Sequence, residues 1–221
     1  MNYPTNPLFN NSNQNQMPTD LLKGTTGLAF KFKDGSVIVS DRRASMGSFI
    51  ASKKAKKVHK VNEYTGIGIA GLVSDAQSLV DLLRSELRLY QLENNFQPSI
   101  KVAGSLLATI MHGGYRRFQP YWVQLLVAGV DRRGAHVYIL GPDGSISDEE
   151  FMAIGSGTLL AIGALENGWK PDLDKKTAKE LAISALKTAI SRDSATGNGI
   201  DGLIFTKDGD NFVTEEIHID L

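Results

Sequence analysis

The sequence has no cysteine, no net charge and no long apolar run, and each absence excludes a class of function. Without cysteine the chain forms no disulfide, no thiolate zinc site and no thiol nucleophile, which suits a reducing compartment. The 24 Lys and Arg residues balance the 24 Asp and Glu residues, so no overall charge favours nucleic acid or an anionic membrane. The longest apolar runs, such as 125–130, are far shorter than the roughly 20 residues of a membrane helix. We therefore expect a cytoplasmic protein.

Residues 1–24 differ in composition from the rest of the chain. They include six Asn, two Gln and three Pro, and their only charged residues are Asp20 and Lys23. Such a segment buries too little apolar area to offset the entropy lost on ordering, so we expect no fixed fold. It also lacks the basic start and continuous apolar middle of a secretory signal. Composition alone favours a disordered tail, whereas the abrupt change after Gly24 favours a propeptide, residues 1–24, that is removed.

Residues 25–221 carry alternating strand and helix patterns with no repeat and no internal linker, which indicates one domain. Apolar residues at helical spacing predict four helices, with caps at Ser74 and Asp75 for the first and at Asp174 for the last. The predicted helices cover 74–95, 100–118, 156–167 and 174–192. The predicted strands include 26–32, 36–40, 123–130, 136–140, 200–206 and 212–217, and a further strand ends at 154. Strands alternating with helix pairs predict an α+β fold, a four-layer αββα sandwich of two antiparallel sheets flanked by helix pairs.

Thr25 stands where the polar leader meets the first apolar strand. If the chain is cut after Gly24, Thr25 acquires a free α-amino group beside its own hydroxyl, which places a base and a nucleophile on one residue. An α-amine has a reference pKa of about 7.7 to 8.0 and is suited to accept the hydroxyl proton near neutral pH. Such a site requires no histidine.

Asp34 and Gly35 predict a tight hairpin between the first two strands. Loops of two or three residues both fit this turn. We prefer the three-residue loop, with Gly35 in the left-handed region, because it pairs Gly27 with Asp41. Side chains alternate along a strand, so this register puts Thr25 and Asp41 on one face.

The basic segment 53–60 is predicted to be a solvated strand rather than a nucleic-acid patch, because the chain has no net positive charge. Lys57 alternates to the face opposite Lys54, Lys56 and Lys60, so we expect it to point inward. Gly71 directly precedes a predicted helix and can donate its N–H to a developing oxyanion.

No metal or cofactor is expected from the distribution of histidines. The four histidines are scattered without the spacing of metal ligands, and each is better explained by a surface or interior packing role. They are His59, His112, His136 and His218.

Several motifs, taken together, resemble the catalytic β-type subunit of the proteasome, a member of the N-terminal-nucleophile hydrolases. No single motif is decisive, but their order and spacing are highly specific and are most similar to archaeal β subunits. The motifs are Thr25-Thr26-Gly27, Asp41-Arg42-Arg43, Lys56-Lys57, Ile69-Ala70-Gly71, Gly155-Ser156-Gly157 and Arg192-Asp193-Ser194-Ala195-Thr196-Gly197. The likeness covers nearly the whole chain after residue 24.

This resemblance implies a threonine endopeptidase that degrades unfolded proteins to peptides. Thr25 would be the nucleophile, Lys57 would lower the proton affinity of its hydroxyl and amine, and Asp41 would keep Lys57 charged. Gly71 would supply the oxyanion N–H. Supporting residues that orient the amine and a water molecule would be Ser156, Asp193 and Thr196, where the family often has Ser in place of Thr196. The same groups imply self-cleavage, with Thr25 attacking the carbonyl of Gly24.

The family's specificity pocket maps onto small and apolar residues beside Lys57, with His59 nearby. These residues are Ala44, Ala55, Ile69 and Val73. An apolar pocket rewards buried apolar area and penalises unpaired charge, so we expect cleavage after large hydrophobic residues. Ser45 and Val73 would bind the substrate backbone as an added strand.

The resemblance also implies heptameric rings of β subunits enclosed by α-type subunits, with an ATP-dependent unfoldase that delivers substrate. Neither nucleic acid nor membrane is an expected partner. Two alternatives remain open: an inactive or precursor ring subunit with a structural role, and another N-terminal-nucleophile hydrolase similar to the bacterial two-ring protease.

Overall fold

The computed structural model describes residues 24–209 and 211–221, so the predicted leader lies outside the described residues except for Gly24. Twelve strands and four helices are assigned within these ranges. The strands are β1 (Thr26–Phe32), β2 (Gly35–Asp41), β3 (Ala44–Met46), β4 (Phe49–Ser52), β5 (Val58–Asn62), β6 (Thr65–Gly71), β7 (Val123–Asp131), β8 (Gly134–Leu140), β9 (Ile146–Asp148), β10 (Phe151–Gly155), β11 (Ile200–Asp208) and β12 (Asn211–Ile219). The helices are α1 (Val73–Asn94), α2 (Ile100–Arg116), α3 (Thr158–Gly168) and α4 (Lys175–Ile190).

Two five-stranded sheets form the centre of the molecule. Their strand orders are β10-β1-β2-β11-β12 and β5-β6-β7-β8-β9, and every neighbouring pair is antiparallel. Helices α3 and α4 cover the first sheet, and α1 and α2 cover the second. Buried side chains such as Ile38, Leu126 and Phe205 fill the space between the sheets. These layers are the predicted four-layer αββα sandwich.

The helices bury the faces that their apolar spacing predicts. In α1, the buried residues include Leu79, Leu83 and Leu87, which lie one turn apart on one side of the helix. None of the helices in the described ranges is long and apolar enough to cross a membrane.

The prediction of a capping residue is confirmed for α4 and is wrong for α1. The carboxylate of Asp174 accepts a hydrogen bond from the N–H of Thr177 at 2.7 Å, which satisfies one of the unpaired donors of the first turn. Helix α1 begins earlier than expected, at Val73, and Leu72 provides no side-chain cap. Asp75 instead accepts a hydrogen bond from the N–H of Trp122 at 2.8 Å, which links the start of the helix to the residue before β7.

The predicted three-residue loop between the first two strands is also wrong. Phe32 pairs with Gly35 and Gly27 pairs with Ser40, so the loop has two residues and Asp41 lies opposite Thr26. Gly35 belongs to β2, where a Cβ would lie 1.9 Å from the carbonyl oxygen of Phe205. The glycine is therefore required by the close approach of β11 and not by a left-handed turn.

The predicted strand ending at Ile154 is two strands in different sheets. Strand β9 pairs with β8, and β10 pairs with β1, so the chain crosses between the sheets after Asp148. This crossing places Gly155 opposite Thr26. The short β3–β4 hairpin was not predicted, because its strands are too brief to show a period.

Candidate active site

Several segments converge at one end of the sandwich, around the residue that precedes β1. Because β1 is antiparallel to both β2 and β10, its first residue lies beside the last residues of these two strands. The segment before β5 and the loop before β11 reach the same place. Thr25 is buried there, with the Gly24–Thr25 bond intact.

Asp41, at the end of β2, is completely buried and accepts four hydrogen bonds. Its Oδ1 accepts from the main-chain N–H of Thr26 at 3.0 Å and from Lys57 Nζ at 2.8 Å. Its Oδ2 accepts from the main-chain N–H groups of Arg43 at 2.9 Å and Gly197 at 3.0 Å. A buried carboxylate is costly unless its oxygens are bonded, and here each oxygen has two donors.

Lys57 is only 6% exposed, so the prediction that it points inward is confirmed, whereas the strand predicted over 53–60 begins only at Val58. Its Nζ donates to Asp41 and, at 2.7 Å, to the carbonyl oxygen of Gly24. Burial lowers the pKa of Lys57, and the adjacent Asp41 carboxylate opposes this shift. The ammonium therefore contacts the carbonyl of the peptide bond that would be cut to free Thr25.

A second group of residues contacts Thr25 on its carbonyl side. The N–H of Ser156 donates to the carbonyl oxygen of Thr25 at 2.8 Å, and Ser156 Oγ lies 3.2 Å from the same oxygen. Ser156 Oγ and Thr196 Oγ1 each lie 2.5 Å from Asp193 Oδ2. The structure thus brings together the three predicted supporting residues, and the single hydroxyl proton of Ser156 can be directed to either neighbour.

Gly71 is the last residue of β6, and Leu72 separates it from α1. Along this strand alternate N–H groups face opposite sides: that of Leu72 donates to Trp122 at 2.9 Å, whereas that of Ile69 donates to the carbonyl of Lys57 at 3.0 Å. By this alternation the N–H of Gly71 faces the same side as that of Ile69, towards the segment that carries Lys57.

Sequence reasoning missed two residues that organise the site. The hydroxyl of Thr26 lies 2.7 Å from Thr196 Oγ1. The guanidinium of Arg43 donates to the carbonyl of Ser194 at 2.6 Å and to Asn198 Oδ1 at 2.8 Å, which holds the loop before β11 in place. The only signal for either residue was its position inside the motifs 25–27 and 41–43.

Comparison with known proteins identifies the family. The proteasome subunit family model matches residues 21–204 of the chain. The chain belongs to the proteasome subunit family. Proteasome subunit beta 1 of Korarchaeum cryptofilum is 42% identical over 203 residues, which cover 91% of this chain and 97% of the relative. Proteasome subunit beta of Methanothermobacter thermautotrophicus is 44% identical over 179 residues, covering 81% and 84%. The resemblance to proteasome β subunits of archaea is confirmed.

The five predicted substrate-binding residues of this proteasome subunit occupy neighbouring segments with different exposures. Ser45, on β3, lies against Gly24, whose Cβ would be 3.4 Å from that of Ser45. The N–H of Ala55 donates to the carbonyl of Arg42 at 2.9 Å, which holds residue 55 beside the end of β2.

The remaining three predicted pocket residues differ in how far they reach the surface. Ile69 is 6% exposed and belongs to the apolar cluster beneath α1 and α2. Val73 is 54% exposed on the first turn of α1, and Ala44 is partly buried on β3.

Proposed function

We propose that this proteasome subunit is a threonine endopeptidase that becomes active when its own Gly24–Thr25 bond is cut. One contact supports this proposal above all: Lys57 Nζ lies 2.7 Å from the Gly24 carbonyl oxygen while paired with Asp41 at 2.8 Å. A fixed positive charge at this oxygen stabilises the negative charge that develops there during attack. A purely structural ring subunit would gain little from a buried ion pair, because burying both charges costs about as much as their attraction returns.

Self-cleavage follows from the position of this bond. The hydroxyl oxygen of Thr25 attacks the carbonyl carbon of Gly24, and water carries the hydroxyl proton to the Thr25 nitrogen. The C–N bond breaks, leaving an ester between Gly24 and the Thr25 side chain together with a free amine. Water then hydrolyses the ester to a Gly24 carboxylate and restores the hydroxyl. Gly24 has φ +114°, a backbone conformation that glycine adopts readily and other residues rarely do.

Peptide hydrolysis uses the freed amine as the base. The amine accepts the hydroxyl proton, the oxygen attacks the substrate carbonyl, and the N–H of Gly71 stabilises the oxyanion. Lys57 favours deprotonation of the hydroxyl through its charge, and Asp41 keeps Lys57 charged. Ser156, Asp193 and Thr196 would orient the amine and the water that later hydrolyses the acyl-enzyme.

The substrate chain would lie alongside β3 and present large hydrophobic residues to the pocket at Ala44, Ala55, Ile69 and Val73. Gly24, the residue before the scissile bond, already lies against Ser45. Within the described ranges β3 pairs only with β4, so its other edge is available for an extended segment.

The relatives are named proteasome β subunits, and we propose the corresponding assembly for this chain. It would form heptameric rings enclosed by α-type subunits, in the cytoplasm, with an ATP-dependent unfoldase supplying unfolded polypeptides. Residues 1–24 would be lost on assembly.

The test compares assembled particles, made with α-type subunits, that contain the native chain or the Thr25→Ala variant. Native particles should hydrolyse fluorogenic peptides and Thr25→Ala particles should not. Thr109→Ala, at an exposed threonine of α2, is the matched control and should keep native activity. Assembled native particles without activity would support the structural-subunit alternative. Intact-mass analysis should give a chain starting at Thr25, and any other start would refute the assigned cleavage site.

A further inference from the structure

Thr26, the residue after the proposed nucleophile, has every polar group bonded and is completely buried. Its N–H donates to Asp41 Oδ1 at 3.0 Å, and its carbonyl accepts from Ser40 Oγ at 3.1 Å. Its hydroxyl lies 2.7 Å from Thr196 Oγ1. Any residue at this position could form the two main-chain hydrogen bonds, whereas the third bond requires a side-chain hydroxyl.

The direction of the hydroxyl bond follows from its neighbours. Thr196 Oγ1 has one proton and directs it to the carboxylate of Asp193, which has no proton to give in return. Thr26 is therefore the donor to Thr196. The resulting chain of bonds runs from Thr26 through Thr196 to Asp193, and each donor in such a chain strengthens the next.

The surroundings of Thr26 favour a hydroxyl at this point. A Cβ at Gly157 would lie 2.1 Å from Thr26 Oγ1, so only a bare backbone leaves room for the oxygen. The loop that carries Thr196 also donates the N–H of Gly197 to Asp41 at 3.0 Å. Thr26 thus lies between the Asp41 and Lys57 pair on one side and the Asp193 group on the other.

We propose that Thr26 is a positioning residue whose hydroxyl holds Thr25 between these two groups, an inference that rests on the proposed function. Cleavage after Gly24 removes the Lys57 contact to the Gly24 carbonyl and turns Thr25 into a chain terminus. Terminal residues become mobile unless they are tied down. After cleavage, the carbonyl of Thr25 is still held by Ser156, and the next anchor along the chain is Thr26. The hydroxyl of Thr26 therefore affects peptide hydrolysis more than self-cleavage.

The test uses assembled particles with Thr26→Val, which replaces the hydroxyl by a methyl group, and Thr26→Ser, which keeps it. Thr65→Val is the matched control, because Thr65 is also a fully buried strand threonine but its hydroxyl has no hydrogen-bond partner within the described residues. A displacement of about 1 Å at reacting groups costs on the order of 10²-fold in rate. We expect Thr26→Val to lower kcat by about this factor with unchanged KM. Thr26→Ser and Thr65→Val should stay within about threefold of native.

Intact mass first establishes that the Thr26→Val chain starts at Thr25. A native kcat in such particles, or a raised KM with native kcat, would overturn the positioning role while the proposed function stands. Native particles without activity would overturn both. If the methyl group prevents assembly, Thr26→Ala removes the hydroxyl without adding bulk against Thr196. A lowered kcat with unchanged KM in this variant would support the positioning role, and a native kcat would overturn it.

Discussion

The ammonium of Lys57 lies 2.8 Å from the carboxylate of Asp41, and both side chains are almost wholly removed from solvent. Each of these buried charges is stabilised by the opposite charge beside it. Asp41 offsets the cost of burying Lys57, and Lys57 is one of four donors that satisfy Asp41. Removing one charge should therefore affect both stability and catalysis.

Asp41→Asn should destabilise the protein and abolish most of its activity. The variant leaves Lys57 as an unpaired buried charge, and it turns the amide of Asn towards main-chain N–H groups that need acceptors. Breaking a buried pair costs about 3 to 5 kcal/mol, which corresponds to a fall of about 10 °C in melting temperature. Activity should fall at least about 10²-fold, because the fixed charge beside Thr25 is lost. Thermal melting and peptide hydrolysis measure the two effects.

Asp34→Asn is the control for this substitution, since Asp34 lies exposed in the turn between β1 and β2. Surface substitutions of this kind change stability by about 0.5 kcal/mol or less. An Asp41→Asn protein with native melting temperature and native rate would show that the ion pair has no part in either property.

Local patterns predicted the features that depend on nearby residues. The inward face of α1 follows from its 3.6-residue period, and the cap at Asp174 joins residues only three apart in sequence. Strand alternation also predicted the inward direction of Lys57, although Lys57 lies just before β5 and the adjacent Val58 is buried too.

Features set by distant residues were not predictable. Gly35 has the sequence signature of a turn glycine, yet it is needed because the backbone of Phe205 approaches it. The preferred register was chosen to bring Asp41 to Thr25, whereas the structure pairs Asp41 with Thr26 and makes the link to the cleavage site through Lys57. The roles of Arg43 and Thr26 depend on the position of the loop before β11, which no local pattern specifies.

The pKa of Lys57 predicts the alkaline limit of activity. The ammonium form is the active one, and burial lowers its pKa below the ordinary value of 10.5. As the pH is raised, activity should therefore begin to fall before pH 10.5 is reached, whereas Tyr64 and Tyr138, with pKa values of about 12, do not ionise in this range. A profile of kcat/KM against pH measures this limit.

The lowered pKa of Lys57 affects activity and stability in opposite directions as the pH rises. Because the pKa of Lys57 is lower in the folded than in the unfolded chain, its contribution to stability increases as pH rises and is fully present above the unfolded value. The melting temperature should therefore show no loss linked to Lys57 over the range in which activity falls. Lys56→Met, at the exposed neighbouring lysine, should leave the alkaline limit unchanged. A limit at or above pH 10.5 in the native protein would contradict the assigned role of Lys57.

Gly24→Ala should slow self-cleavage without changing the mature enzyme. A Cβ at Gly24 would meet Ser45 at an ordinary contact distance of 3.4 Å, so the obstacle is the φ of +114°. The added strain displaces the carbonyl from Lys57 and delays attack by Thr25. Mature chains that do form have lost residue 24 and should have native kcat. A time course of intact mass measures the delay, which we expect to be about tenfold or more for a strain of about 1.4 kcal/mol or more.

Gly134→Ala is the matched control for the cleavage experiment. Gly134 has a similar φ of +123°, and a Cβ added there would have no atom within 4 Å. It is the first residue of β8, directly after the β7–β8 turn and away from Thr25. The variant should carry a comparable backbone strain and still be cleaved at the native rate. Equal delays in both variants would mean that general destabilisation, and not the geometry at the scissile bond, sets the rate.

Val73→Lys should change the residue after which peptides are cut. Native particles should cleave after Leu or Tyr faster than after Arg or Glu, because an apolar pocket leaves a charged side chain unpaired. Val73 is 54% exposed on the first turn of α1, so a lysine is tolerated there and offers a partner to an acidic side chain. An exposed ion pair is worth up to about 1 kcal/mol, so the ratio of kcat/KM for Glu over Leu peptides should rise about fivefold. Leu89→Lys, at a 49% exposed position further along α1, should leave this ratio unchanged, and an equal change in both variants would contradict the placement of Val73 in the pocket.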